Sequence, residues 1–287
     1  MMKGWLIYDR AAKEMNESYI AWFIEEAAKQ EIDLQLILRD EITFGIENCE
    51  QIIYLDGKKV LLPSFVIIRT IEPTLQFYFE NLGVPTFNDA KTAMICNHKT
   101  KTYIEMSKLD IPTVPTYFLS KQNVPTSLPL PFPFVLKEAT GRSGKQVYYV
   151  KNEAEWQDKL SRLTSNDVII QCADVALGRD VRVFVIGKEI IGAVLRKNDA
   201  DFRANFTLGG DAIPYQLTSA QDDMIKKITQ HFDFGLVGID FLVSKNGRLL
   251  FNEIEDVVGS RILSKVSNVN LLEMYVSFIK EKLKNKR

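Results

Sequence analysis

"FGLVGIDFLVSKNGRLLFNEIEDVVG" (234–259) reads as two strands joined by a tight turn. Apolar runs flank Asn246-Gly247, a dipeptide suited to the positive φ angles of a two-residue hairpin, and together they predict an antiparallel pair. Asp240 falls on the first strand, and Glu253 and Glu255 fall across the turn on the second. Residues two apart on a strand share a face, so Glu253 and Glu255 stand side by side. Adjacent carboxylates repel unless one is protonated or a cation lies between them. Three carboxylates converging on one patch of sheet suit a hard divalent cation with oxygen ligands.

Upstream lies more chemistry of the same kind. "FPFVLKEATGRSGKQVYYV" (132–150) reads as strand, loop, strand, with Lys137 closing an apolar run before a loop rich in glycine, hydroxyls and cations. Glycines let backbone N–H groups approach a polyanion closely; a plain hairpin with a basic tip fits the same residues. The loop matches neither GxxxxGK[ST] nor GxGxxG, which weakens those two nucleotide-binding classes. In "VIIQCADVALGRDVRVFVIGKEIIGAVLRK" (168–197), strands are expected over Val168–Gln171, Val181–Ile186 and Glu189–Leu195, with Asp180 and Arg182 on one face. Alone, such a pair is more often a structural ion pair than a ligand site. "DFRANFTLGGD" (201–211) sets Arg203 and Asn205 two apart before Gly209-Gly210, and a guanidinium fork beside an amide suits phosphate oxygens.

The first third alternates strand and helix. "WLIYD" (5–9), "LQLIL" (34–38) and "FVIIR" (65–69) read as strands, with a helix carrying Ile20, Phe23, Ile24 and Ala27 inward and Glu25, Glu26 and Lys29 outward. This alternation argues for a parallel sheet covered by helices. A helix is expected around Thr100–Leu109, ended by the prolines of "DIPTVPTYFL".

Composition excludes little but orders the classes. The chain has 287 residues, 46% of them apolar and 25% charged, as in an ordinary globular protein. A net charge of −1 gives no electrostatic reason for a nucleic-acid or membrane partner. Three cysteines without CxxC spacing indicate neither disulfides nor zinc. No signal-like or membrane-length apolar run is found, so a cytoplasmic location is expected. Neither histidine, His98 or His231, falls in a Ser or Cys motif, and His231 reads as a helix-end residue.

The order of elements is more telling than any one of them. A Lys-ending strand, a Gly-rich loop, Gln at a strand end, DxR, RxN with GG, and then D followed by ExE resembles the ATP-grasp superfamily, and within it the RimK-like carboxylate–amine ligases. "NHKTKTYIEMSKLDIPTVPTYFL" (97–119) is similar to the segment that leads into this fold. The resemblance covers residues 95–265 well. It implies an α/β ATP-grasp architecture, with an N-terminal β-α-β pre-grasp domain (1–95) before an ATP-grasp domain (96–287). The latter would comprise two α+β subdomains gripping ATP, a small one near 100–172 and a large one near 173–287.

The resemblance also implies roles. Lys137 and Lys99 would hold phosphates, and the loop with Gly141, Arg142, Ser143 and Gly144 would close over them. Gln171, Cys172 and Ala173 would meet adenine, largely through backbone groups, and Asp180 would lie near the nucleotide. Arg203 and Asn205 would act on the γ-phosphate and the acyl phosphate. Asp240, Glu253 and Glu255 would bind two Mg²⁺ ions, with Mn²⁺ as an alternative. The implied partners are a small-molecule acid and an amine, such as an amino acid or peptide, and homo-oligomers are left open. Loops 9–18, 69–75 and 256–265 would grip those substrates, with Arg10, Arg69 and Arg261 as candidate carboxylate clamps. The sequence departs from the family at Glu255, where Asn is usual, at Cys172, where Glu is common, and at Gln146, where Gly is frequent. A phosphotransferase acting on a hydroxyl and a non-catalytic ATP-binding module are the competing readings.

Overall fold

The computed structural model describes residues 2–141, 144, 146–204 and 210–285. The chain begins with β1 (Met2–Tyr8), α1 (Arg10–Met15), α2 (Glu17–Lys29) and β2 (Ile32–Leu38). Strands β1 and β2 are parallel, so a crossover must join them, and α2 serves as that crossover. It buries Tyr19, Ile20, Phe23 and Ala27, as the helical spacing requires. Glu26 differs from expectation: it sits at the edge of the apolar stripe, only 4% exposed, and accepts bonds from Trp22 Nε1 and Lys29 Nζ.

An antiparallel meander follows, β3 (Ile42–Glu47), β4 (Glu50–Leu55) and β5 (Lys58–Lys59). Then β6 (Phe65–Ile68), α3 (Pro73–Asn81) and β7 (Thr86–Phe87) complete a parallel sheet of order β2-β1-β6-β7.

Helices α4 (Ala90–Cys96) and α5 (Lys99–Lys108) lead out of this region. Helix α5 buries Lys99, Thr102, Tyr103 and Met106, the i, i+3, i+4, i+7 stripe of a half-buried helix. Its one charged inward residue, Lys99, is therefore aimed at whatever α5 packs against. Next come β8 (Thr116–Ser120), β9 (Phe134–Glu138), β10 (Val147–Val150), α6 (Glu153–Arg162) and β11 (Asp167–Cys172). They form an antiparallel sheet of order β10-β9-β11-β8. Phe134, Leu136, Val168 and Ile170 pack on Trp156 and Leu160 of α6, so Val135, Lys137 and Gln171 fall on the opposite face by strand alternation.

The last region holds β12 (Arg179–Ile186), β13 (Glu189–Lys197), β14 (Asp211–Pro214), α7 (Ser219–His231), β15 (Leu236–Val243), β16 (Leu249–Glu255), α8 (Arg261–Val266) and α9 (Leu271–Lys284). Its antiparallel sheet, ordered β14-β13-β12-β15-β16, is covered on both faces. Val181, Val183 and Val185 join a core with Met106 of α5 and Ile225 and Ile228 of α7. Phe184 and Ile186 join the other core, which reaches Leu272 and Ile279 of α9 and continues to Leu6, Phe23 and Phe65 of the first region. No helix among the described residues is long and apolar enough to cross a membrane.

Candidate active site

Two buried lysines face the last sheet from different elements. Lys137, on the open face of β9, is 4% exposed; its Nζ donates to Asn252 Oδ1 at 3.1 Å and lies 5.7 Å from the centre of the Tyr103 ring. Burial, aided by the nearby Lys99 charge, pushes its ammonium down to about 7, and Glu253 offsets this only in part. Lys99 pairs with Glu253 Oε2 at 3.1 Å and donates to the Gly141 carbonyl.

Alternation on the last sheet gathers four further charges on one face. Asp180 stands opposite Arg196 across the β12–β13 pair, and Arg182 stands opposite Asp240 across the β12–β15 pair. Directly opposed residues lie closer than residues two apart on one strand, so the ion pairs run between strands. Arg196 grips Asp180 through two bonds of 2.6 and 2.7 Å. Arg182 grips Asp240 at 2.7 and 2.6 Å, and Arg196 adds a third bond to Asp240 at 2.7 Å. The sequence placed Asp180 and Arg182 on one face correctly, but each has a different partner. Burial opposes ionisation of Asp240, yet Arg182 and Arg196 prevail and hold its carboxyl at about 2. Gly238 admits the Val258 side chain, because a Cβ there would lie 2.8 Å from Val258 Cγ2.

A β-bulge sets the remaining carboxylates. Phe241 pairs with Phe251 and Asp240 with Glu253, which leaves Asn252 as an extra residue in β16. Phe251 and Ile254 consequently both enter the core, although they are three apart. Asn252 and Glu253 both turn to the cleft. Carboxylate oxygens of Asp240, Glu253 and Glu255 then come within 4.8 Å of one another. Glu255 Oε2 lies 2.9 Å from Arg182 Nη1. Glu253 is also held ionised: burial opposes its charge, and Lys99 overcomes that.

The cleft between the β10-β9-β11-β8 and β14-β13-β12-β15-β16 sheets encloses about 830 Å³, open solvent at its mouth included. Gly141, Gly144, Gln171, Cys172, Asp180 and Arg203 line it together with both lysines. Gly144, at φ +69, takes a conformation open to glycine. Its carbonyl accepts from Arg203 Nη1 at 2.6 Å, while Asp201 holds the rest of the Arg203 fork at 3.0 and 2.7 Å. The Gln171 side chain is spent on Tyr103 and Thr116, the Cys172 amide donates to the Pro115 carbonyl, and Ala173 is buried beside them. Arg142, Ser143 and Asn205 lie outside the described residues. A second hollow of about 540 Å³, lined by Asn97, Lys99, Gly141, Glu253 and Glu255, adjoins the first across the Lys99–Glu253 pair. His231 ends α7 with Nε2 2.9 Å from Glu105, away from this cleft.

Sequence reasoning missed Asn252 and Arg196. The signal for Asn252 was the odd spacing of the apolar residues Phe251 and Ile254, which a regular strand forbids. Arg196 gave no local signal, because its partners are 16 and 44 residues away.

Comparison with known proteins follows the same outline. Residues 116–279 match the RimK-like ATP-grasp domain. Beta-citrylglutamate synthase B of Homo sapiens is 23% identical over 289 residues, covering 94% of this chain and 75% of the relative. The RimK domain ATP-grasp protein from Sphaerobacter thermophilus superposes with a TM-score of 0.71 at 17% identity, covering 96% and 98% of the two chains. The ATP-grasp ligase PsnB, solved with a precursor variant, Mg and ADP, superposes at 0.70 with 14% identity, covering 96% and 97%. The fold is thus that of the ATP-grasp ligases, and the match over more than half of its length makes this chain a member of the RimK-like ATP-grasp family.

Proposed function

We propose that the chain is an ADP-forming ligase that joins a carboxylate to an amine through an acyl phosphate. The observation that carries this is two hollows meeting at Lys99 and Glu253, one large enough for a nucleotide and one beside the carboxylate cluster. In this reading residues 1–95 form the pre-grasp domain, and the sheets of 100–172 and 173–287 grip ATP between them.

Asp240, Glu253 and Glu255 fit a hard cation, since all offer oxygen. Asp240 already accepts three charge-assisted bonds, so Glu253 and Glu255 would supply most of the coordination, to two Mg²⁺ ions or to Mn²⁺. Bound there, the metal would neutralise phosphate charge. The four carboxylates Asp180, Asp240, Glu253 and Glu255 face three full positive charges, Arg182, Arg196 and Lys99, with Lys137 only partly charged near neutral pH. A triphosphate therefore needs added cations. Lys137 and Lys99 would hold its oxygens, and Arg203 and Asn205 would meet the charge that grows on the transferred group. The acid's carboxylate oxygen attacks the terminal phosphorus and ADP leaves. The amine then attacks the acyl carbon, releasing phosphate and a proton.

The test is phosphate release from ATP over pairs of acids and amines. Phosphate is expected only when both are present. ATP consumption with a hydroxyl compound, and without an amine, would favour the phosphotransferase instead.

A second expectation concerns Lys137. Its ammonium sits at about 7 in the free chain, well below the usual 10.5, and phosphate oxygens favour the charged form. ATP binding between pH 7 and 9 should therefore take up a proton, and affinity should fall as pH rises through that window. Calorimetry in buffers of different ionisation heat reads the uptake directly. A Lys137→Ala variant should bind ATP weakly and without this proton; unchanged affinity in a folded variant would remove Lys137 from the site.

A further inference from the structure

The first sheet carries charges that the cleft does not use. In the order β2-β1-β6-β7, the chain leaves β1 toward one edge and β6 toward the other. The crevice outside the carboxyl ends of β1 and β6 is thus the switch point at which open α/β sheets take ligands. Arg69 follows β6 there, its amide bonded to the Ile7 carbonyl at 2.8 Å. Its guanidinium donates to Tyr8 Oη at 3.3 Å and to the Val258 carbonyl at 2.9 Å, and lies 5.7 Å from the centre of the Tyr19 ring. Arg261 lies 5.9 Å from the same ring and donates to Asn16 Oδ1.

These partners are a phenol, a carbonyl, an amide and an aromatic face, and all are neutral. Among the described residues, neither guanidinium has a carboxylate within ion-pair distance. Arg10, by contrast, is bound to Asp40 and drops out as a clamp. Burial holds the hydroxyls of Tyr19 and Tyr275 above their usual range against the pull of Arg69, so they cannot offset its charge. The half-buried Arg69 guanidinium loses hydration that neutral partners replace only in part, and its planar fork matches a carboxylate. Val258 is three residues beyond Glu255, so this point is within about 11 Å of the carboxylate cluster along the backbone.

We propose that Arg69 and Arg261, set against Tyr19 at the carboxyl ends of β1 and β6, form a subsite for a carboxylate that does not react. That this carboxylate belongs to the acid or the amine substrate rests on the ligase reading; the subsite's affinity for it does not.

Trp22 reports on the subsite, since its ring stacks edge-on against Tyr19 at 6.0 Å, and Trp22→Phe assigns the signal. The full chain is titrated with glutarate, and with glutaramide as the neutral control, in EDTA and without ATP. Glutarate should change the emission saturably and glutaramide should not. Arg69→Gln and Arg261→Gln should each weaken glutarate about tenfold to hundredfold, the loss of one charge-assisted bond. Arg261 is exposed, so its variant should fold even if the Arg69 variant does not. Equal responses to glutarate and glutaramide, or unchanged affinity in Arg261→Gln, would overturn the subsite.

The two readings then separate cleanly. Glutarate binding without phosphate release from any acid–amine pair keeps the subsite and rejects the ligase. Ligation with unchanged KM in both variants keeps the ligase and rejects the subsite. For a productive pair, replacing one carboxylate at a time by carboxamide identifies the substrate that carries the clamped group: KM should rise in wild type and not rise further in the variants.

Discussion

Asp240→Asn is expected to destabilise the chain by about 3–5 kcal/mol, the cost of breaking a buried ion pair from one side, and to abolish turnover. The side chain is 1% exposed and takes three bonds from Arg182 and Arg196. Asn keeps the shape but leaves both guanidiniums buried with one less negative charge. Thermal unfolding in EDTA checks the structural part apart from any metal, and Tm should fall by roughly 5–15 °C. The pH dependence has a defined sign. Asp240 is held at about 2 in the fold against an ordinary 3.8, so its stabilisation is complete above about 4 and disappears as pH falls through 2. That shift alone amounts to about 2 kcal/mol; the larger mutational figure includes the stranded cations. The variant should lack this acid-dependent loss. An unchanged Tm in EDTA would show that the network is not a unit of stability.

Arg203→Ala is expected to lower kcat by about 10²–10³-fold, as for removal of a donor to developing charge, while ATP affinity stays near wild type. Asp201 holds the guanidinium fork on one side, and Nη1 reaches the Gly144 carbonyl of the loop. The group is thus oriented beforehand, where it can act on a bound phosphate without reorganising. Phosphate release under saturating substrates gives kcat, and calorimetry gives ATP affinity. Normal turnover would assign Arg203 to holding the loop. A parallel loss of affinity and rate would place it on the ground state as well as the transition state.

Much of this was legible in the sequence because the signals are local. The period-2 and period-3.6 patterns of residues 5–9, 34–38, 65–69 and 100–109 are close to the observed β1, β2, β6 and α5, and Asn246-Gly247 sits in the turn between β15 and β16. The motif order led to the right family. Less visible was the meander β3–β5, whose alternation Ile42, Phe44, Ile46 was present but interrupts the β-α-β rhythm. The exchange of partners among Asp180, Arg182, Arg196 and Asp240 was hidden altogether. It depends on strand register, which side chains on one strand do not specify.

The extra residue at Asn252 adds an amide to the cleft without changing which way the carboxylates after it face. In β16 the odd-numbered residues Leu249 and Phe251 face the core; past Asn252 the even-numbered Ile254 does so. The parity of the strand switches midway. Losing Asn252 would restore an unbroken ladder with Glu253 still opposite Asp240 and both glutamates still on the cleft side, at the cost of the amide that meets Lys137. Across descendants of this sequence, then, position 252 should vary in letter and even in presence, while the alternation of Glu253, Ile254 and Glu255 is kept.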